Sequence, residues 1–242
     1  MLSLSHWSAR AGNKDILHDI ALDIAPGTIT AIMGPNGSGK STLARTVMGD
    51  PTFTLGDGAR LMCDGTDLTH ASADVRAREG IFLSAQSPLA ISGVTVRDLM
   101  RAALTERGVQ ALDVKKRLER TAAQLAIPDE LLDRSLNDGF SGGERKKMEV
   151  LQMALVDPRY IILDEIDTGV DVDALKTIAT FLHACVADTD KALVIITHAT
   201  KILDHLTPTH TVVLRDGRIA AQGDAALAYT IEQEGFAATY TL

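Results

Sequence analysis

Gly34-Pro35-Asn36-Gly37-Ser38-Gly39-Lys40-Ser41-Thr42 follows the apolar, β-branched run Ile29-Thr30-Ala31-Ile32-Met33. It opens residues 41–48, a stretch that reads as a helix which Gly49 can end. The nine residues match G-x-x-x-x-G-K-[ST] in full, in the strand–loop–helix setting that this motif requires. Glycines at 34, 37 and 39 let backbone N–H groups converge on a β-phosphate, and the following helix adds its positive end. Lys40 then places a point charge on the β- and γ-phosphates, and the Ser41 hydroxyl is positioned to ligate Mg²⁺.

A second helix N-terminus of similar character lies at Phe140-Ser141-Gly142-Gly143-Glu144. Ser141 and Glu144 have the spacing of a capping box. Paired glycines in a first helical turn each cost roughly 0.8–1.0 kcal/mol against Ala, but they let an anion approach the backbone. Arg145-Lys146-Lys147 adds three cations where the macrodipole disfavours them unless an anion is near, or they form a solvated basic face. One chain with two such ends and a single P-loop lysine points to a nucleotide shared between two protein surfaces.

The third element, Tyr160-Ile161-Ile162-Leu163-Asp164-Glu165, is an apolar strand ending in two acids. After a P-loop this is a Walker B pattern, with Asp164 holding Mg²⁺ and Glu165 polarising the attacking water. His198 follows the buried run Val194-Ile195-Ile196-Thr197 and is placed at a strand end to donate to a γ-phosphate. Gln86, after Ile81-Phe82-Leu83-Ser84-Ala85, can reach the Mg²⁺ or the water. Asp167-Thr168-Gly169-Val170-Asp171 forms a turn whose Asp171 can cross to another subunit.

The order of the P-loop, Gln86, FSGGE, IILDE, DTGVD and Thr197-His198 resembles the nucleotide-binding subunit of ATP-binding-cassette proteins over nearly the whole chain. Within that family it is most similar to the ATPase of the Suf iron–sulfur cluster assembly system, the SufC type. The finer match is carried by residues 33–44, 79–83, 140–147, 149–154 and 171–176; Phe140 and Glu144 stand where transporter ATPases usually carry Leu and Gln. The resemblance implies a Mg²⁺-dependent ATP hydrolase in which two copies close head to tail on two ATP molecules. Each ATP would be bound by one subunit's P-loop and by Ser141, Gly142, Gly143 and Asp171 of the other. It also implies a soluble partner, a scaffold of the Suf B and D type, with no cluster on this chain. The energy subunit of a membrane transporter shares all of these catalytic residues and is the alternative; a P-loop kinase or switch GTPase would lack FSGGE. The chain departs from the family pattern where Ala85 and Ser87 flank Gln86, where Ala199 follows His198, and where Ala9-Arg10-Ala11 occupy the neighbourhood of the usual adenine-stacking aromatic. Trp7, the nearby aromatic, reads as part of the β layer.

Length and composition frame these motifs. A chain of 242 residues with 45% hydrophobic residues can bury a full core and fits one ATPase domain, residues 1–242. Apolar strands at 29–33, 81–84, 160–163 and 193–197 alternate with helical stretches, as in a mostly parallel, RecA-like α/β sheet covered on both faces. The first 25 residues with residues 60–63 read as an added antiparallel β layer. Residues 92–139 read as an inserted helical lobe, with a capped start at Thr95-Val96-Arg97-Asp98 and helical spacing over 114–125. Residues 211–220 form a hairpin on an Asp-Gly turn, and a last helix at 224–234 can stop at Gly235. The net charge of −8 opposes a broad nucleic-acid footprint. No apolar stretch approaches a membrane span, and Met1-Leu2-Ser3-Leu4-Ser5-His6 lacks the regions of a signal peptide, so a cytoplasmic protein without membrane insertion is expected. Cys63 and Cys185 belong to no C-x-x-C pair and read as buried small hydrophobes.

Overall fold

In the computed structural model, which describes residues 1–84, 90–187, 189–197 and 201–236, the central sheet is built from the apolar runs identified above. The chain begins with the long hairpin β1 (Leu2–Ala11) and β2 (Lys14–Ile24), followed by β3 (Ile29–Met33) and helix α1 (Lys40–Val47). β4 (Thr54–Leu55), β5 (Arg60–Cys63) and β6 (Thr66–Asp67) then complete an antiparallel sheet of order β2-β1-β5-β6, with β4 also paired to β1. After α2 (Ala73–Arg78), β7 (Ile81–Ser84) enters the central sheet. The lobe follows as β8 (Ile91–Thr95), α3 (Val96–Glu106), α4 (Ala111–Gln124), α5 (Asp129–Leu132) and β9 (Ser135–Leu136). The chain then runs through α6 (Gly142–Val156), β10 (Tyr160–Asp164), α7 (Val172–Val186), β11 (Ala192–Ile196), the hairpin β12 (His210–Arg215) and β13 (Arg218–Gly223), and α8 (Ala225–Glu234).

The central sheet has the order β13-β12-β3-β11-β10-β7, parallel throughout except for β13, which turns back on β12. Its inner strands β3, β10 and β11 are buried along their whole length, as a sheet covered on both faces requires. Alternate side chains divide between two cores. Ile161, Leu163, Leu193 and Ile195 pack on the side of α6, α7 and the lobe. Ile32, Ile162, Val194 and Ile196 pack against α1 and the antiparallel sheet, with Trp7 and Cys63. Trp7 is fully enclosed there and donates from Nε1 to the Thr46 hydroxyl at 2.9 Å, which ties the β layer to α1. Cys63 is buried and its thiol is pushed up to about 11, chiefly by burial; Cys185 is only partly buried.

Two features have causes beyond neighbouring residues, and the second departs from the sequence reading. The inward face of β1 changes phase between Leu4 and Trp7, and that of β2 between Leu17 and Ile20, because each strand carries a bulge, at positive-φ His6 and Asp19 respectively. The lobe also opens on a strand and not on a helix: β8 pairs antiparallel with β9, 40 residues or so downstream. A five-residue run with Gly93 at φ +81 is too short to show a period, and its partner lies beyond any local signal. Thr95 then caps α3 as its sequence suggests, accepting from the Asp98 N–H at 3.0 Å. Among the described residues no helix is long and apolar enough to cross a membrane.

Candidate nucleotide site

The carboxyl ends of β3 and β10 converge beside the N-terminus of α1, the place where open α/β sheets collect ligands. A cleft of about 810 Å³ opens there, lined by Asn36, Gly37, Gly39, Lys40, Ser41 and Thr42 together with Glu165. Pro35 supplies a carbonyl to the same loop. Gly39, in a left-handed backbone conformation, precedes α1 at the capping position and supplies no side-chain cap, and the first turn contains no acid. Its leading N–H groups therefore face the cleft with only the helix dipole and the lysine beside them.

Lys40 is 6% exposed and bends back so that Nζ donates to the Gly34 carbonyl at 2.7 Å and to the Pro35 carbonyl at 3.0 Å. Burial lowers its pKa, while Glu165 and Asp164 oppose that shift. Asp164 is 3% exposed at the end of β10, and burial raises its carboxyl pKa against the hydrogen bond from Ser41 and the charges of Lys40 and Lys146. Its Oδ1 is buried without a hydrogen-bond partner. A buried, ionisable oxygen left open behind a hydroxyl suits a hard cation. Ser41 and Asp164 are thus the groups among the described residues that fit Mg²⁺. Among the described residues no cluster of three or more His, Cys, Asp and Glu could hold a metal; Gln86, the other residue expected at the cation, lies outside them. Glu165 follows at φ +53, with its N–H donating to the Ile196 carbonyl at 2.9 Å. That left-handed turn swings its side chain from the strand into the cleft.

The second set of residues gathers elsewhere. Ser141 caps α6 with a complete capping box: its hydroxyl accepts from the Glu144 N–H at 3.3 Å, and the Glu144 carboxylate accepts from the Ser141 N–H at 2.7 Å. Asp171 caps α7, accepting from the Ala174 N–H at 2.8 Å, and Gly143 packs against Asp171 and Ala174. None of Ser141, Gly142, Gly143 and Asp171 lines the P-loop cleft of its own chain. Gln86 and His198, with the Ala85, Ser87 and Ala199 departures, lie outside the described residues; Thr197 just before His198 donates to Asp167 Oδ2 at 2.8 Å.

Two supports for an anion at α6 give way to local explanations. A Cβ on Gly142 would stand 2.4 Å from the Gly169 carbonyl oxygen, so this glycine is required by packing within the chain. The three cations also have partners in the chain. Arg145 donates to the Phe140 carbonyl at 2.9 Å, Lys147 to the Ala126 carbonyl at 3.4 Å, and buried Lys146 pairs with Glu149 at 3.1 Å. The wall of the cleft opposite Glu165 was not legible in the sequence. It comes from Lys14, Ile16 and His18 of β2 and from Asp216-Gly217, and residues 9–11 take no part in it. Residues 216–217 were readable as a turn, but nothing local placed that turn beside the P-loop.

The chain is similar to known proteins over most of its length. The ABC transporter family model matches residues 17–168. The "Probable ATP-dependent transporter SufC" of Escherichia coli K12 is 40% identical over 98% of this chain and 97% of its own length. The "Probable ABC transporter ATP-binding protein SpyM3_0208" of Streptococcus pyogenes serotype M3 is 39% identical over 98% of this chain and 94% of its own. Among solved structures, the ATP-binding subunit of an ABC transporter superposes with a TM-score of 0.82 at 20% identity, covering 100% of this chain and 98% of that one. A dimeric cassette in a post-hydrolysis state bound to ADP and Pi gives 0.81 at 19% identity, covering 93% and 99%. The chain belongs to the ATP-binding-cassette family and is an ABC-type ATPase.

Proposed function

We propose that this chain is the ATPase subunit of an iron–sulfur cluster assembly machine, hydrolysing ATP at a head-to-tail dimer interface to drive a conformational change in a soluble scaffold of the Suf B and D type. The chemistry rests on one observation: Lys40, Ser41, Asp164 and Glu165 converge on the open end of α1. On this reading Lys40 exchanges the Gly34 and Pro35 carbonyls for the β- and γ-phosphates. The Thr42 hydroxyl and the loop N–H groups of residues 34–39 hold the remaining phosphate oxygens. Mg²⁺, held by Ser41 and Asp164, would neutralise charge on the phosphates. Glu165 orients the attacking water and accepts its hydrogen bond; the water oxygen bonds to the γ-phosphorus as the bond to the β–γ bridging oxygen breaks and ADP leaves. His198 and Gln86 complete the site in the roles that the family pattern gives them.

Because Ser141, Gly142, Gly143 and Asp171 lie off the cleft of their own chain, they act on the nucleotide of a second copy. ATP then joins two chains, and hydrolysis releases them. The Suf assignment draws on the full-length similarity to SufC, on Phe140 and Glu144 in the signature, and on the run at 171–176. The name borne by the Streptococcus relative favours a second reading, a subunit serving a membrane permease. Purification of the tagged chain from cytosol and from detergent-solubilised membranes separates the two. Recovery with a soluble scaffold supports cluster assembly, and recovery with an integral permease and no scaffold sinks it while leaving the ATPase chemistry intact.

A further inference from the structure

Two Asp-Gly turns in this chain share one backbone conformation. Asp64-Gly65 joins β5 to β6 with φ of +48 and +90, and Asp216-Gly217 joins β12 to β13 with +46 and +72. Their surroundings differ. A Cβ on Gly65 would meet nothing within 4 Å, whereas one on Gly217 would stand 1.9 Å from the Ile16 carbonyl oxygen and 2.9 Å from His18 Cδ2. Gly217 is also bonded on both sides: its N–H donates to the Ser38 carbonyl at 3.0 Å, and its carbonyl accepts from the His18 N–H at 2.8 Å.

Strand β12 braces the rest of the same loop. It runs parallel to β3 with Val213 opposite Met33. A Cβ on Gly34 would stand 2.1 Å from the Leu214 carbonyl oxygen, and one on Gly39 would stand 2.8 Å from Leu17 Cδ2 and 3.5 Å from Leu214 Cδ2. Gly34, Ser38 and Gly39 are therefore all held by a surface made of β2, β12 and the 216–217 turn. A loop rich in positive-φ glycine has much conformational freedom to lose when it closes on phosphate. A scaffold that holds it beforehand removes part of that cost from binding.

We propose that Gly217 is a positioning residue for nucleotide binding: the 216–217 turn clamps the Ser38 carbonyl and holds the P-loop in its phosphate-receiving form before nucleotide arrives. The proposal rests on the P-loop reading above. An added methyl at 217 must push the turn away from Ile16 and lengthen the bond to Ser38. Affinity should fall while the chemical groups stay in place.

Calorimetric titration of the full-length chain with MgADP and MgATP, alongside steady-state hydrolysis, tests this in four proteins: wild type, Gly217→Ala, Gly65→Ala and Lys40→Ala. Gly217→Ala should raise Kd and KM by roughly tenfold, about 1.4 kcal/mol, with kcat at saturating ATP retained. Gly65→Ala, with the same φ strain and open space, should bind as wild type does. Wild-type affinity in Gly217→Ala, or an equal loss in Gly65→Ala, overturns the clamp. If Lys40→Ala binds nucleotide as tightly as wild type, the P-loop reading fails as well; if its affinity falls, only the clamp is lost. Should Gly217→Ala not fold, amide exchange in the wild-type chain decides. The Gly217 N–H should be protected without nucleotide and slow further on adding MgADP, in step with residues 38–40. A Gly217 amide that exchanges freely, or that ignores MgADP while residues 38–40 respond, overturns the proposal.

Discussion

The N-termini of α1 and α6 both carry glycine, both have basic residues near their first turn, and both read in the sequence as places for phosphate. In the folded chain they are opposites. α1 begins without a side-chain cap and without a first-turn acid, and its lysine is parked on the loop's own carbonyls. α6 begins with two donors satisfied by a capping box, with the Glu144 carboxylate already at its positive end, and with Gly142 lodged against Gly169. A helix end that is not internally satisfied binds an anion by itself; one that is satisfied needs a second chain to bring the anion to it. On the proposed reading, this asymmetry lets a chain hold nucleotide alone while a partner is needed to complete the site for hydrolysis.

Glu165→Gln is the most severe test on the α1 side. Hydrolysis should fall by roughly 10²–10⁴-fold while nucleotide binding persists, because the lost group serves the water and not the phosphates. Single-turnover assay with calorimetry checks both halves, and normal turnover would remove Glu165 from its role. Lys40→Ala removes the ammonium that faces the phosphates, so ATP affinity should drop by roughly 10–150-fold, the worth of a charged hydrogen bond. Near-wild-type binding in that variant would show that α6 holds nucleotide independently and would erase the contrast.

Ser141→Ala probes the other end. Removing the cap should cost about 1 kcal/mol of folding stability and leave nucleotide affinity of the dilute chain unchanged. ATP turnover at high protein concentration should fall, and mixing with Lys40→Ala chains should restore at most one composite site per heterodimer. A loss of affinity in the dilute Ser141→Ala chain, matching that of Lys40→Ala, would place α6 in the cleft of its own subunit.

Asp164→Asn, read on the thermal stability of the chain, gives the smallest effect and sharpens the electrostatic part of the contrast. Burial holds the folded-state pKa of Asp164 above its ordinary 3.8. The charged form therefore destabilises the free chain near neutrality; the group's favourable contribution is full below the unfolded pKa and is lost as pH rises through the raised folded pKa. Without nucleotide and Mg²⁺, the variant should melt higher than wild type at pH 7, by roughly 2–4 °C for each kcal/mol gained, and the gap should close as pH falls toward the carboxylate range. With MgATP the order should reverse, since the variant lacks the charged oxygen that suits the cation. Thermal unfolding at several pH values reads both, and a variant less stable at pH 7 without ligand would contradict the cost of the buried charge.

Several elements were legible from residues alone because their causes are local. The P-loop, the Thr95 and Ser141 caps, Gly49 and Gly235 at helix ends, and the turn at 216–217 each depend on dihedral preferences and hydrogen bonds within a few residues. The runs that became β3, β7, β10 and β11 were recognisable within a residue or so, since β3, β10 and β11 are buried on both faces and mostly apolar, and β7 at the sheet's edge keeps the run Ile81-Phe82-Leu83.

Tertiary structure decided what depends on pairing between distant segments. The bulges at His6 and Asp19 shift which side chains of the first hairpin face inward, and β8 finds β9 across the whole lobe. The duty of Gly142 appears only once the Gly169 carbonyl lies over it, and the cleft's far wall exists only because β12 runs beside β3 and carries the 216–217 turn to Ser38. The separation of Ser141, Gly142 and Gly143 from the P-loop cleft belongs with these. The sequence marks two helix ends as fit for phosphate, but the distance between them and the contacts that satisfy one and not the other are set by strand order and packing, for which no run of neighbouring residues carries a sign.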